Sequence, residues 1–87
     1  MKWTDLIFRP HHAVKNGVSC RVEFDNGEWC SIVGAPYDVD QGFFSLYGNG
    51  KTSFEIYSSV TKKTPAVVKG WLSRKQVLRH LNYLKNK

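Results

Sequence analysis

The sequence predicts an α+β domain, a small antiparallel β-sheet of three to five strands packed against one C-terminal amphipathic helix. Three observations predict it. Apolar and polar residues alternate over 18–24 and again over 53–60. An Asp25-Asn26-Gly27 turn separates the first of these stretches from a second apolar run. Near the C-terminus, an S-x-x-Q capping box introduces a leucine stripe at helical spacing. A chain of 87 residues makes one domain, here 1–87, with a single modest core. Three Trp, four Tyr and five Phe supply enough apolar surface to fold without metal or disulfide staples.

Val18, Cys20, Val22 and Phe24 alternate with Ser19, Arg21 and Glu23, which places the two sets on opposite faces of a half-buried strand. Glu28 to Val33 returns as the second strand. Two registers are open. A two-residue Asn26-Gly27 loop sets Phe24 opposite Trp29, and a type I turn with Gly27 left-handed sets Phe24 opposite Glu28. A slip of one residue turns every side chain over. The second register is favoured because it aligns Cys30 and Ile32 with Cys20, Val22 and Phe24, although it leaves Trp29 on the more polar face.

Gly34-Ala35-Pro36 breaks the second strand, and 35–42 reads as loop. Phe43 to Tyr47 is a short apolar run and Gly48-Asn49-Gly50 a turn. Ser53 to Val60 is the next strand, with Phe54, Ile56, Ser58 and Val60 on one face and Glu55 and Tyr57 on the other. Leu6 to Phe8 suggests an edge strand stopped by Pro10. Phe44, Leu46 and Phe54 are expected in the core, whereas alternation places Tyr47 and Tyr57 off it. Ser73-Arg74-Lys75-Gln76 is the capping box, with Leu72 and Val77 at the spacing of a hydrophobic staple. Val77, Leu78, Leu81 and Leu84 form the buried stripe. At ~100° per residue, Lys75, Arg79, Asn82 and Tyr83 face away from it.

The net charge of +6 is unevenly distributed. Positions 1–60 hold all seven acids and five bases, net −2, and positions 61–87 hold eight bases and no acid, net +8. This asymmetry points to an anionic partner at one end of the molecule. The candidate binding residues are Lys62, Lys63, Lys69, Arg74, Lys75, Arg79, Tyr83 and Lys85, with Tyr47 and Tyr57 as stackable aromatics. Trp29 or Trp71 can anchor an interface, and an edge strand offers a route to a homodimer.

No catalytic constellation is present. H-E-x-x-H, a phosphate loop and G-x-S-x-G are all missing. Gly48 to Thr52 lacks the glycine spacing and following helix that a phosphate cradle needs. Asp38 and Asp40 read as loop caps rather than an acid pair. Two cysteines, Cys20 and Cys30, are too few for a disulfide framework and read as free thiols. With His11 and His12 they make no spaced ligand pairs, and adjacent histidines on an extended chain diverge, so no metal or other cofactor is expected. No stretch approaches the ~20 apolar residues of a membrane helix. The run Leu6-Ile7-Phe8 is too short for a secretion signal, so a cytoplasmic location is expected.

The order of these pieces resembles a family of small, mostly uncharacterised proteins carried by tailed bacteriophages. The residues that carry the resemblance are Trp3-Thr4-Asp5-Leu6-Ile7-Phe8-Arg9-Pro10-His11, Phe24-Asp25-Asn26-Gly27, Ser31-Ile32-Val33, Tyr47-Gly48, Phe54-Glu55-Ile56 and Gly70-Trp71-Leu72-Ser73 with Val77. The family's helix usually begins with acids after the cap, where this chain has Arg74 and Lys75. The resemblance implies a phage product acting inside a bacterial host. Together with the missing catalytic motifs, it leads to the expectation of a non-enzymatic accessory protein that binds and inhibits a host protein or ribonucleoprotein, of the anti-defence or anti-CRISPR type. The alternative is a protein that binds RNA or DNA directly through the basic helix.

Overall fold

A computed structural model of the protein describes residues 1–61 and 69–87. After a short 3-10 turn at Trp3–Asp5 come β1 (Arg9–Pro10), β2 (Val18–Glu23), β3 (Trp29–Gly34), β4 (Phe54–Ser58), β5 (Lys69–Leu72) and α1 (Arg74–Lys85). The strands form one antiparallel sheet in the order β1-β2-β3-β4-β5, so each strand neighbours the next in sequence. The helix covers one face. The architecture is the α+β sheet-and-helix arrangement that the alternation and the capping box predict.

The β2–β3 hairpin takes the favoured register. Glu23 lies opposite Trp29 and Val22 opposite Cys30. Gly27 adopts φ +86°, where a side chain is disfavoured. The Phe24 N–H donates to the Glu28 carbonyl at 2.9 Å, and the Gly27 N–H to the Phe24 carbonyl at 3.0 Å. Cys20, Cys30 and Ile32 are consequently buried on the helix side, beside half-buried Val22 and Phe24. In β4 the same alternation buries Phe54, Ile56 and Ser58. That strand ends at Ser58 rather than Val60 because the chain turns back on itself there. The Ser58 N–H donates to Thr61 Oγ1 at 2.7 Å and the Thr61 N–H to Ser58 Oγ at 3.3 Å.

The edge strand is displaced from its expected position. Arg9 and Pro10 pair with Ser19 and Val18, and Leu6 to Phe8 are not strand. Trp3, Leu6 and Phe8 instead turn inward onto the core. The rings of Trp3, Phe8 and Phe54 lie 4.8–5.5 Å apart. Burying these rings outweighs continuing a sheet edge. Pro10 is tolerated within β1 because that strand is at the edge.

β5 has no counterpart among the expected elements. Lys69 pairs with Ile56 and Leu72 with Phe54, so Gly70 and Trp71 together oppose Glu55 in a bulge. Helix α1 then begins as expected. Ser73 Oγ accepts from the Gln76 N–H at 3.2 Å, and Gln76 Oε1 accepts from the Ser73 N–H at 2.8 Å. Val77, Leu81 and Leu84 are fully buried against Cys30, Ile32, Phe54 and Ile56.

Two local expectations are corrected. Phe44 is exposed rather than in the core, because its ring packs edge-on to exposed aromatics, while Phe54 is buried as expected and Leu46 is half-buried. His11 and His12 do not diverge. The chain bends between Pro10 and Gly17, and the two rings stack at 4.9 Å. His11 Nδ1 accepts the N–H groups of Ala13 and Val14 at 3.0 and 3.1 Å. No helix among the described residues is long and apolar enough to cross a membrane.

Candidate functional site

Among the described residues, α1 covers one face of the sheet and no helix or strand covers the other, the open face, where the polar half of each strand's alternation stands. Arg21, Ser31 and Tyr57 form one row across β2, β3 and β4. Beside them, the Arg21 guanidinium sits 4.6 Å from the centre of the Trp29 ring, within cation–π range. The Trp29 and Tyr57 rings lie 5.5 Å apart. Arg21 Nε also donates to Glu23 Oε1 at 2.9 Å. Arg21 is thus drawn between an aromatic face and a carboxylate.

The β5 end of this face carries a second aromatic group. Trp71 meets Phe44 edge-on at 5.0 Å, and Phe44 meets Tyr37 edge-on at 5.2 Å. Trp71 is 50% exposed, Tyr37 49% and Phe44 38%, so these rings contact one another yet remain available to a partner. The backbone at Trp71 is unusual. Its φ is +57°, a left-handed conformation that a bulky side chain rarely adopts. It is held there by its N–H, which donates to the Tyr47 carbonyl at 2.6 Å. Glu55 Oε1 in turn accepts the Tyr47 N–H at 3.0 Å. Gly70 is required at this crossing, because a Cβ there would lie 2.4 Å from Tyr47 Cβ.

The helix side has a different chemistry. An open groove of about 350 Å³ runs between α1 and β5, with Ile56 and Leu72 as its apolar floor. Among the described residues, Lys69, Gln76, Arg79, His80 and Tyr83 line it, and no described lining residue is a carboxylate. His80 Nε2 lies 2.9 Å from Ser58 Oγ. Burial, and then the nearby Lys69 ammonium, lower the His80 pKa below its ordinary value of 6.5. A neutral ring can accept the Ser58 hydroxyl proton. Ser58 is completely buried, so this serine–histidine pair ties the helix to β4 and keeps the hydroxyl out of a substrate's reach.

The binding residues expected from sequence therefore occupy two faces. Lys69, Arg79 and Tyr83 come together at the groove, with Lys75 and Lys85 exposed elsewhere on α1. Tyr47 and Tyr57 belong to the open sheet side, and both are exposed. Arg74 is engaged within the fold. Its guanidinium lies 5.3 Å from the Trp3 ring centre, and its Nε donates to the Lys51 carbonyl at 2.9 Å. Lys62 and Lys63 lie outside the described residues. Asp38 caps its loop, with Oδ1 accepting the N–H groups of Asp40 and Gln41 at 3.0 and 3.1 Å.

Arg21, Tyr37, Phe44, Trp29 and Trp71 join Tyr57 and Tyr47 on the open side. Strand alternation carries enough signal to place Arg21 and Trp29 there. The sequence names Trp71 as a possible interface anchor, but nothing local signals the face it stands on, which depends on a bulge against a distant loop.

Cys20 and Cys30 are free thiols facing the core. Among the described residues no group of three or more His, Cys, Asp or Glu is placed to hold a metal ion. No protein-family model, curated protein or solved structure matches the chain.

Proposed function

We propose that this chain is a non-catalytic binding protein whose open sheet face engages a protein surface. The partner is a host protein or ribonucleoprotein in the cytoplasm of a bacterium, and occupying it inhibits it, as phage inhibitors of bacterial defence such as anti-CRISPR proteins do. The phage setting rests on the sequence resemblance alone. The observation that carries the binding reading is Trp71, a half-exposed tryptophan in a left-handed backbone conformation at the end of an aromatic face. Strained residues concentrate where function over-determines them, and exposed aromatics anchor interfaces. The charges favour a protein over a polyanion on this face. Glu23 and Glu55 stand among the aromatics, and Arg21 is already paired with Glu23. A phosphate backbone laid there would meet those carboxylates.

The test is affinity capture from infected bacterial cells, with and without nuclease, comparing the natural sequence with Trp71→Ala and Tyr57→Ala. A nuclease-resistant protein partner that both substitutions lose supports the reading. Partners lost entirely to nuclease, or retained by both variants, overturn it.

A second reading, direct binding of RNA or DNA, is favoured by the groove at Lys69, Arg79 and Tyr83, where no described lining residue is a carboxylate. It requires affinity to fall steeply with salt, as phosphate contacts release counterions.

A further inference from the structure

We infer that two copies of this chain associate through the free edge of β2, joining their sheets into one. Along an antiparallel pair, the backbone groups of alternate residues point toward the neighbour and away from it. The Phe24–Glu28 bond sets that phase. Val22 and Cys20 therefore bond toward β3, and the peptide groups of Arg21 and Glu23 point outward. At Ser19 the outward groups are taken by Arg9 of β1. Beyond Phe24 the chain enters its turn. Among the described residues, no backbone hydrogen bond or strand pairing occupies the outer edge from Cys20 to Phe24. A groove of about 530 Å³ runs along it, bordered by the exposed side chains of Ile7 and Met1.

The limits of this window decide the register. β1 closes it at one end and the hairpin turn at the other, so an antiparallel pair of such edges overlaps fully only when Val22 meets Val22 of the second copy. That pairing sets Arg21 opposite the second copy's Glu23, and Glu23 opposite its Arg21. Both sites exchange reciprocal backbone hydrogen bonds with the outward-pointing groups. Both side chains stand on the open face and are already within hydrogen-bond reach of each other in one chain, at 2.9 Å. In the pair each would exchange that partner for the opposite one. Free edges usually carry charges that repel another strand. Here the two charges are of opposite sign and symmetric about Val22, so the same edge attracts its own copy.

The two-fold axis runs perpendicular to the sheet through the paired Val22 residues. It leaves both aromatic open faces on the same side of a continuous sheet, which doubles the surface offered to a partner. The association itself does not depend on what that surface binds.

Sedimentation from about 10 μM to about 1 mM tests it, a range suited to a small interface. The natural sequence is expected to dimerise within this range. Arg21→Glu alone and Glu23→Arg alone each place like charges opposite one another twice, and each is expected to weaken self-association roughly tenfold or more. An equimolar mixture of the two variants restores opposite charges at both sites, and is expected to form a mixed dimer as readily as the natural chain does with itself. No effect on the fold of either variant alone produces that rescue. A monomer throughout the range, single variants that dimerise like the natural sequence, or a mixture that stays monomeric each overturns the inference.

Discussion

Asn26, at the tip of the β2–β3 hairpin, donates its side-chain amide to the carbonyl of Leu84 at the end of α1, 2.8 Å away and 58 residues on in sequence. The same side chain shapes the turn through Oδ1, which accepts the Glu28 N–H at 3.0 Å. The last carbonyls of a helix have no partner within it. Asn26 supplies one and fixes the hairpin against the helix.

Asn26→Ala is expected to cost about 1–2 kcal/mol by removing both bonds. Asn26→Asp keeps the acceptor for Glu28 but loses the donor and adds a negative charge at the negative end of the helix dipole. It is therefore expected to be no more stable than the alanine variant. Urea unfolding of the three proteins measures this, and an aspartate variant as stable as the natural chain would remove Asn26 from the helix end.

At Trp71 the backbone and the ring make separable contributions. Trp71→Ala and Trp71→Gly both remove the ring, and both are expected to abolish partner binding. Glycine alone relieves the φ of +57°, so the glycine variant is expected to be about 1 kcal/mol more stable than the alanine variant. Thermal unfolding read beside a binding assay checks both parts. Equal stability would show that the left-handed conformation carries no strain.

Lys75 and Arg79 stand one turn apart on the exposed side of α1. Replacing both with Glu is expected to leave the fold intact, since neither side chain reaches the core and Ser73 still caps the helix. If the physiological partner is nucleic acid, affinity should fall, and the dependence of log affinity on log salt should become shallower by about 1–2 because two phosphate contacts are lost. If a protein occupies the open sheet face instead, affinity should stay within about threefold. Binding measured at several salt concentrations separates these outcomes.

His80 should make stability depend on acid. Its folded pKa is lowered below the ordinary 6.5, so the folded state prefers the neutral ring. The stability this contributes is fully present above pH 6.5 and is lost as pH falls through the folded value. The urea midpoint is expected to drop between about pH 7.5 and about pH 5, and to drop less in His80→Gln. Parallel profiles for the two proteins would mean that other groups govern the acid limb.

The thiols give the opposite pH limb. Burial pushes Cys30 up to about 12 from 9.0. Its contribution is complete below pH 9 and is lost as pH climbs toward the folded value. A thiol-specific reagent is expected to label Cys20, 6% exposed, before Cys30, 0% exposed, with Cys30 reacting only as the chain unfolds. Cys30→Ala is expected to cost about 1 kcal/mol through lost packing and to leave partner binding unchanged. A disulfide, or a stoichiometric metal lost on replacing either cysteine, would contradict this account.

The elements legible in the amino-acid sequence are those whose causes are local. Period-two alternation marks β2 and β4, Gly27 selects the turn, and Ser73 with Gln76 starts α1, because each signal lies within a few residues of its effect. The hairpin register followed from the same alternation, since only one pairing buries Cys30 and Ile32 beside Cys20. The basic face of α1 and the exposure of Tyr47 and Tyr57 were legible for the same reason. The remaining features depend on contacts between distant segments. β5 exists because it pairs with β4, and its bulge is held by the Tyr47 loop. That crossing turns Trp71 outward beside Phe44, and no pattern around residue 71 encodes it. The inward turn of Trp3 and Phe8 required Phe54 as a partner, which moved the edge strand to Arg9 and Pro10. The separation of cationic and aromatic candidates onto two faces is likewise invisible in one dimension, because a sheet's face is assigned only when a helix covers the other.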